Sequence, residues 1–314
     1  TAEGDYTSAL SAWTKVLEYN CNNELAYLNV SRILLNKGEY SGALEYAKKA
    51  NSQSIYSQAF TQLRSTFISK NVGMIIVAIV ALSILSYVLK WVNKRFEISN
   101  KLKAVSPTYA SLSFAKYIYY APLDGFWVQK REKKGNVASG VIIIALLFLS
   151  FVAAEMFTGF CFLSPTDELK EFNILLQLSK AVLPIMLWCI ANWCITALMD
   201  GNGNFKEIFI STCFAATPFL ITNFIRTILS NVLTSSEAQI LGIIVGIGIA
   251  YTAILLVAAT CSVHDCSFGK ALLTIFLTLI GMAIIVFIAV LFFNLINKFF
   301  DFAISVYNEL KMRV

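Results

Sequence analysis

The sequence predicts an all-α protein, with short helical hairpins followed by a polytopic α-helical membrane bundle of one connecting span plus a five-helix domain. Three observations predict it. Near the start, Gly4-Asp5-Tyr6 with Ala9 recurs as Gly38-Glu39-Tyr40 with Ala43, a spacing of 34 residues. After residue 70 come six apolar stretches, each at or above the roughly 18 residues that a helix needs to cross hydrocarbon. Hydrophobic residues make up 57% of the chain and charged residues only 14%, a balance outside the range of soluble domains.

The first 70 residues carry the repeat. A 34-residue period with a Gly-x-Tyr turn and a small residue on the next helix is the tetratricopeptide (TPR) signature. Residues 24–36 read as its first helix and 39–50 as its second. Tyr27, Val30, Ser31 and Leu34 occupy the aromatic, aliphatic, small and bulky positions of the first helix. Ala43, Ala47 and Ala50 form the packing face of the second. Such a hairpin cannot bury its face alone, so residues 6–19 and 55–70 are expected as its neighbours. Leu25, Leu28, Arg32 and Asn36 line the groove face and are the candidate partner-binding residues. A segment with so few repeats serves equally well as a spacer. Gly4 matches a residue in the middle of a unit, so a larger N-terminal region is expected upstream.

A connecting span is expected at 71–90, with its apolar run at 72–89. The linker at 91–136 is basic and aromatic. Between residues 90 and 136 lie ten Lys or Arg against Glu97, Asp124 and Glu132. Excess Lys and Arg marks the cytoplasmic side. The link after the next span, with Asp167, Glu168 and Glu171, suits the outside. Alternation then puts the repeat region and the C-terminus outside. Within the linker, Tyr117, Tyr120, Phe126 and Trp127 beside Lys130, Arg131, Lys133 and Lys134 suit an interfacial helix facing anionic lipid. Nucleic acid is not expected as a partner.

The domain at 137–314 is expected to span five times, at 137–163, 174–199, 208–229, 240–263 and 271–297. Glu155, Asn192 and Asp200 form the candidate polar site of the bundle. Gly242, Gly246 and Gly248 read as a stripe permitting close helix approach. Asp200-Gly201-Asn202-Gly203-Asn204 has alternating oxygen ligands, but Phe205 and Ser211 stand where a calcium loop needs Gly and Glu. A turn, with Asn204 and Glu207 capping the next helix, explains it better. His264-Asp265-Cys266 reads as a loop triplet. One histidine and no nucleophile elbow leave no catalytic set, and no metal or cofactor is expected. The seven cysteines show neither zinc spacing nor a disulfide framework.

The run from Asn192 to Ile208 (NWCITALMDGNGNFKEI) resembles the central signature of bacterial members of the Yip family, the Ypt/Rab-interacting proteins. Pro218, the loop Ser230-Asn231-Val232-Leu233-Thr234 with Glu237, and the lead-in Pro122-Leu123-Asp124-Gly125-Phe126-Trp127 are similar to it as well. The resemblance covers residues 105–314. It implies a five-helix bundle whose first helix begins in the cytoplasm, in a multi-pass protein of the bacterial cell membrane. It also implies partners among other membrane proteins, with sugar ABC importer permease subunits as candidates, and no catalytic residues. The expected function is therefore a non-enzymatic membrane scaffold or accessory subunit that docks partners through an extracytoplasmic TPR region. The alternative is a small-solute permeation protein that uses the five-helix bundle. A membrane hydrolase comes last, for want of residues.

Overall fold

In the computed structural model, residues 6–96, 103–163, 172–198 and 203–313 are described. Among them the chain is helical, without strands. Six helical segments are long and apolar enough to cross a membrane. The chain divides into two compact units. The first contains residues 1–105, 149–174 and 219–250, and the second contains 106–148, 175–218 and 251–314.

The first unit begins with α1 (Tyr6–Tyr19), α2 (Glu24–Lys37) and α3 (Tyr40–Lys49). Asn23 caps α2, its side chain accepting the Ala26 N–H at 3.0 Å, which contributes about 1 kcal/mol. Glu24 in the first turn and Lys37 in the last complement the helix dipole. Gly38 ends α2 at φ 82, a left-handed conformation that costs least without a side chain. The hairpin limits expected from the repeat thus fall within a residue or so of those observed. Val30, Leu34, Ala43 and Ala59 form one core, with Leu10, Trp13, Leu17 and Leu44 packed against it. Ala26, Ala43, Ala47 and Ala59 are fully buried, so small side chains sit where the helices come together.

The fourth helical segment, α4 (Gln53–Phe96), has 44 residues. Its backbone departs from helix at Asn71, φ −114 and ψ 16. Asn71 Nδ2 donates to the Phe67 carbonyl at 2.8 Å, a side chain competing with the helical ladder. Before this kink, Ile55, Ser57 and Ala59 are buried; beyond it, the apolar stretch has no buried residue. Two helical stretches joined at Asn71 thus have different roles: the first packs against α1–α3, and the second is long and apolar enough to cross a membrane.

The second unit holds α5 (Pro107–Tyr120) and α6 (Pro122–Arg131), the start of α7 (Val137–Phe157), nearly all of α8 (Ile174–Leu198), α9 (Phe205–Ala215), the end of α11 (Ala238–His264) and α12 (Phe268–Arg313). Most of α10 (Thr217–Ser230) lies in the first unit. The single interfacial helix expected in the linker is two, broken at Ala121 because the residue before a proline avoids helical dihedrals. Apolar length alone suggests one unbroken span at 208–229. Pro218, however, cannot donate to the Phe214 carbonyl, so α9 and α10 separate there. The Thr217 hydroxyl donates to that carbonyl instead. The last span does not stop at residue 297. It continues as one helix to Arg313, 46 residues in all.

Candidate functional site

Two clusters of loop and helix-end residues stand out, one in each unit. In the first, the foot of α4 meets the segments that follow α7 and α10. Arg64 Nη1 and Nη2 donate to the two carboxylate oxygens of Glu237, at 2.7 and 2.8 Å. Nη1 also donates to the Val232 carbonyl at 2.8 Å. The Ser235 N–H donates to Ser57 Oγ at 3.1 Å, Gln53 donates to the Leu163 carbonyl, and the Tyr56 and Phe160 rings lie 4.7 Å apart. Glu237 also accepts the Thr234 N–H at 2.9 Å. One carboxylate therefore caps its own helix and holds α4 as well. Nearby, Asn223 Nδ2 reaches Ser150 Oγ at 3.0 Å, bracing α10 against α7.

The second unit contains a buried polar chain. Asn192 on α8 donates from Nδ2 to Thr278 Oγ1 of α12 at 3.2 Å. Its Oδ1 lies 2.9 Å from His264 Nε2 at the end of α11. With the amide nitrogen committed to Thr278, Oδ1 is the acceptor, so Nε2 is the donor. Nδ1 is buried and has no partner. A hollow of about 10 Å³, at the lower limit for holding one water molecule, has Asn192, Ser211, Thr212, Thr260 and His264 in its lining. Gly203 backs the ring: a Cβ there would stand 2.5 Å from His264 Cε1.

Adjacent residues of the His264-Asp265-Cys266 triplet take different partners. His264 faces Asn192, while Asp265 takes Lys130 Nζ at 2.6 Å. Burial raises the Cys266 thiol above its ordinary value, which disfavours the nucleophilic thiolate. Among the described residues no group of His, Cys, Asp or Glu could hold a metal ion. All seven cysteines are free. Interhelical hydrogen bonds such as those of Asn192 fix helix register.

The residues expected from sequence fall as follows. Leu25, Arg32 and Asn36 are exposed on α2 and Leu28 is half-buried. Tyr117, Tyr120 and Trp127 are 45%, 81% and 50% exposed. Arg131 lies over the Trp127 ring at 5.8 Å, and Lys134 pairs with Glu132 at 2.6 Å. Lys133 is exposed. Phe126 takes no part in that exposed face: it is fully buried. Lys130 is turned to protein, donating to Asp265 and to the Val263 carbonyl at 2.7 Å. Asn192 is buried in the polar chain, Glu155 is exposed on α7, and Asp200 lies outside the described residues.

Sequence reasoning passed over Arg64 and Gln129, and met Glu237 only in the loop that carries the family resemblance. A signal existed for the pairing of Arg64 with Glu237. Arg64 is the one charged residue between Lys49 and Lys70, and Glu237 is the one acid between Glu207 and Asp265. Isolated charges in weakly polar sequence call for a partner.

A family profile described as the Yip1 domain matches residues 116–291, more than half of the chain. No curated protein and no solved structure matches.

Proposed function

The chain belongs to the Yip1 domain family, and on that premise we propose that this membrane protein is a non-enzymatic scaffold or accessory subunit whose N-terminal helices dock a partner. The grip of Arg64 on Glu237 carries this reading. It fixes the foot of α4, and with it the core shared by α1–α3, to the segments after α7 and α10. A docking module held this way transmits position to the bundle, which a loosely tethered spacer does not. In this reading the hairpin is a TPR-type unit. Leu25, Leu28, Arg32 and Asn36 are its contact face, and the basic linker orients that face to the outside of a bacterial cell. The partner class is another membrane protein, with carbohydrate ABC importer permeases as the first candidates because the family resemblance implies them.

The test is cross-linking of the full chain in intact membranes, read by mass spectrometry. The joint variant Leu28→Ala with Arg32→Ala is expected to lose an importer permease cross-link that the unmodified chain forms, while remaining inserted. The opposing result is saturable solute flux through liposomes holding this protein alone, abolished in Glu155→Gln. That would replace the scaffold with a permeation protein.

A further inference from the structure

We propose that the second unit carries a phosphate-binding cleft between the end of α6 and the start of α9, and that the headgroup phosphate of an anionic lipid fills it. The cleft has a volume of about 250 Å³, and its lining includes Gln129, Lys130, Lys133, Lys206, Glu207 and Ser211. Lys130 is already committed to Asp265 and the Val263 carbonyl. Lys133 and Lys206 are both exposed, and no ion pair ties up either among the described residues. The single carboxylate, Glu207, reaches back toward the Asn204 N–H at 3.5 Å.

The independent sign of a ligand is Gln129. It is 4% exposed, and its Oε1 accepts the Ser211 hydroxyl at 3.3 Å. In this orientation the other end of the amide is the NH2 group. Nε2 is buried without a partner, a costly state for a donor. Gln129, Ser211 and Gly135 all line the cleft, and a Cβ at Gly135 would sit 3.0 Å from Nε2. The NH2 group therefore lies against Gly135 in the cleft lining. The cleft also borders the first turn of α9, a helix of 11 residues, whose leading N–H groups have no carbonyl within the helix and favour an anion.

Two ammonium groups, an amide donor and a helix start suit a tetrahedral oxyanion with several free oxygens. A headgroup supplies one if its phosphate is not shielded by its own cation, so phosphatidate fits and phosphatidylcholine does not. Free phosphate has the same chemistry and is distinguished by competition. This inference is independent of what the N-terminal helices dock.

The experiment uses the purified full chain in neutral detergent, with bound lipid counted by native mass spectrometry. Phosphatidate is expected to bind in preference to phosphatidylcholine. Lys133→Gln with Lys206→Gln should weaken it about thirtyfold, roughly fivefold for each cation. Lys270→Gln, which removes an exposed cation outside the cleft, should change it by less than about twofold. Inorganic phosphate that fails to displace the lipid at millimolar concentration supports the headgroup. Displacement by micromolar phosphate keeps the cleft but overturns the lipid as its occupant. Equal weakening in Lys270→Gln and in the paired variant, or no weakening in either, overturns the cleft itself.

Discussion

Arg64 holds both carboxylate oxygens of Glu237, at 2.7 and 2.8 Å, across 173 residues of sequence. Their side chains are 21% and 31% exposed. A two-point guanidinium–carboxylate pair in that setting is stronger than a fully exposed one. The pair should therefore show coupling of about 1 kcal/mol in a double-mutant cycle of Arg64→Gln and Glu237→Gln. Arg64→Gln should cost more than Glu237→Gln, because it also frees the Val232 carbonyl. The readout is the urea dependence of proteolysis of α1–α3 in detergent. Additive single effects would show that the contact does not hold the two segments together.

Legibility from sequence follows the range of the physical signal. Helix bounds at Asn23 and Gly38 were readable because capping and turn chemistry act within a few residues. Six helical segments long and apolar enough to span were readable because hydropathy is a local sum. The break before Pro218 was hidden, since an apolar window of that length reads as one helix whether or not a proline interrupts it. Phe126 lies on a helix of 10 residues, where an aromatic beside basic residues faces inward or outward with equal ease. Asn192 was singled out, but its partners His264 and Thr278 lie 72 and 86 residues away, beyond any local pattern. Gln129 left no trace at all: an amide acquires meaning only from the groups that fail to meet it.

The glycines of α11 divide sharply, against the expectation of one close-approach stripe. A Cβ at Gly248 would lie 2.0 Å from Thr222 Oγ1 and 2.9 Å from its Cβ. At Gly242 and Gly246 it would meet nothing within 4 Å. Gly248→Ala should therefore destabilise by about 1–3 kcal/mol through overpacking. Gly242→Ala and Gly246→Ala should be neutral, or stabilise by up to about 1 kcal/mol through helix propensity. Thermal unfolding of the three purified variants separates the cases. A large loss in Gly242→Ala or Gly246→Ala would mean that this face of α11 is covered in the intact protein.

Orientation is the last prediction. Ten Lys and Arg between residues 90 and 136 predict a cytoplasmic α5–α6 linker. A single crossing by α4 would then leave α2 and α3 outside. The arrangement of the first unit is consistent with alternation, because the start of the first span gathers with the ends of the second and fourth. Ser41 on α3 and Glu132 after α6 are both exposed, so cysteines there should neither disturb packing nor be shielded by it. Gly135 is a poor probe position, since its Cβ would stand 2.6 Å from Ile210 Cγ2. In a cysteine-free background, Ser41→Cys should react with an impermeant maleimide on intact cells, whereas Glu132→Cys should react only after the membrane is opened. The reverse pattern would invert the topology. It would also move the proposed docking face into the cytoplasm and the phosphate cleft to the outer leaflet, so one labelling experiment bears on both proposals.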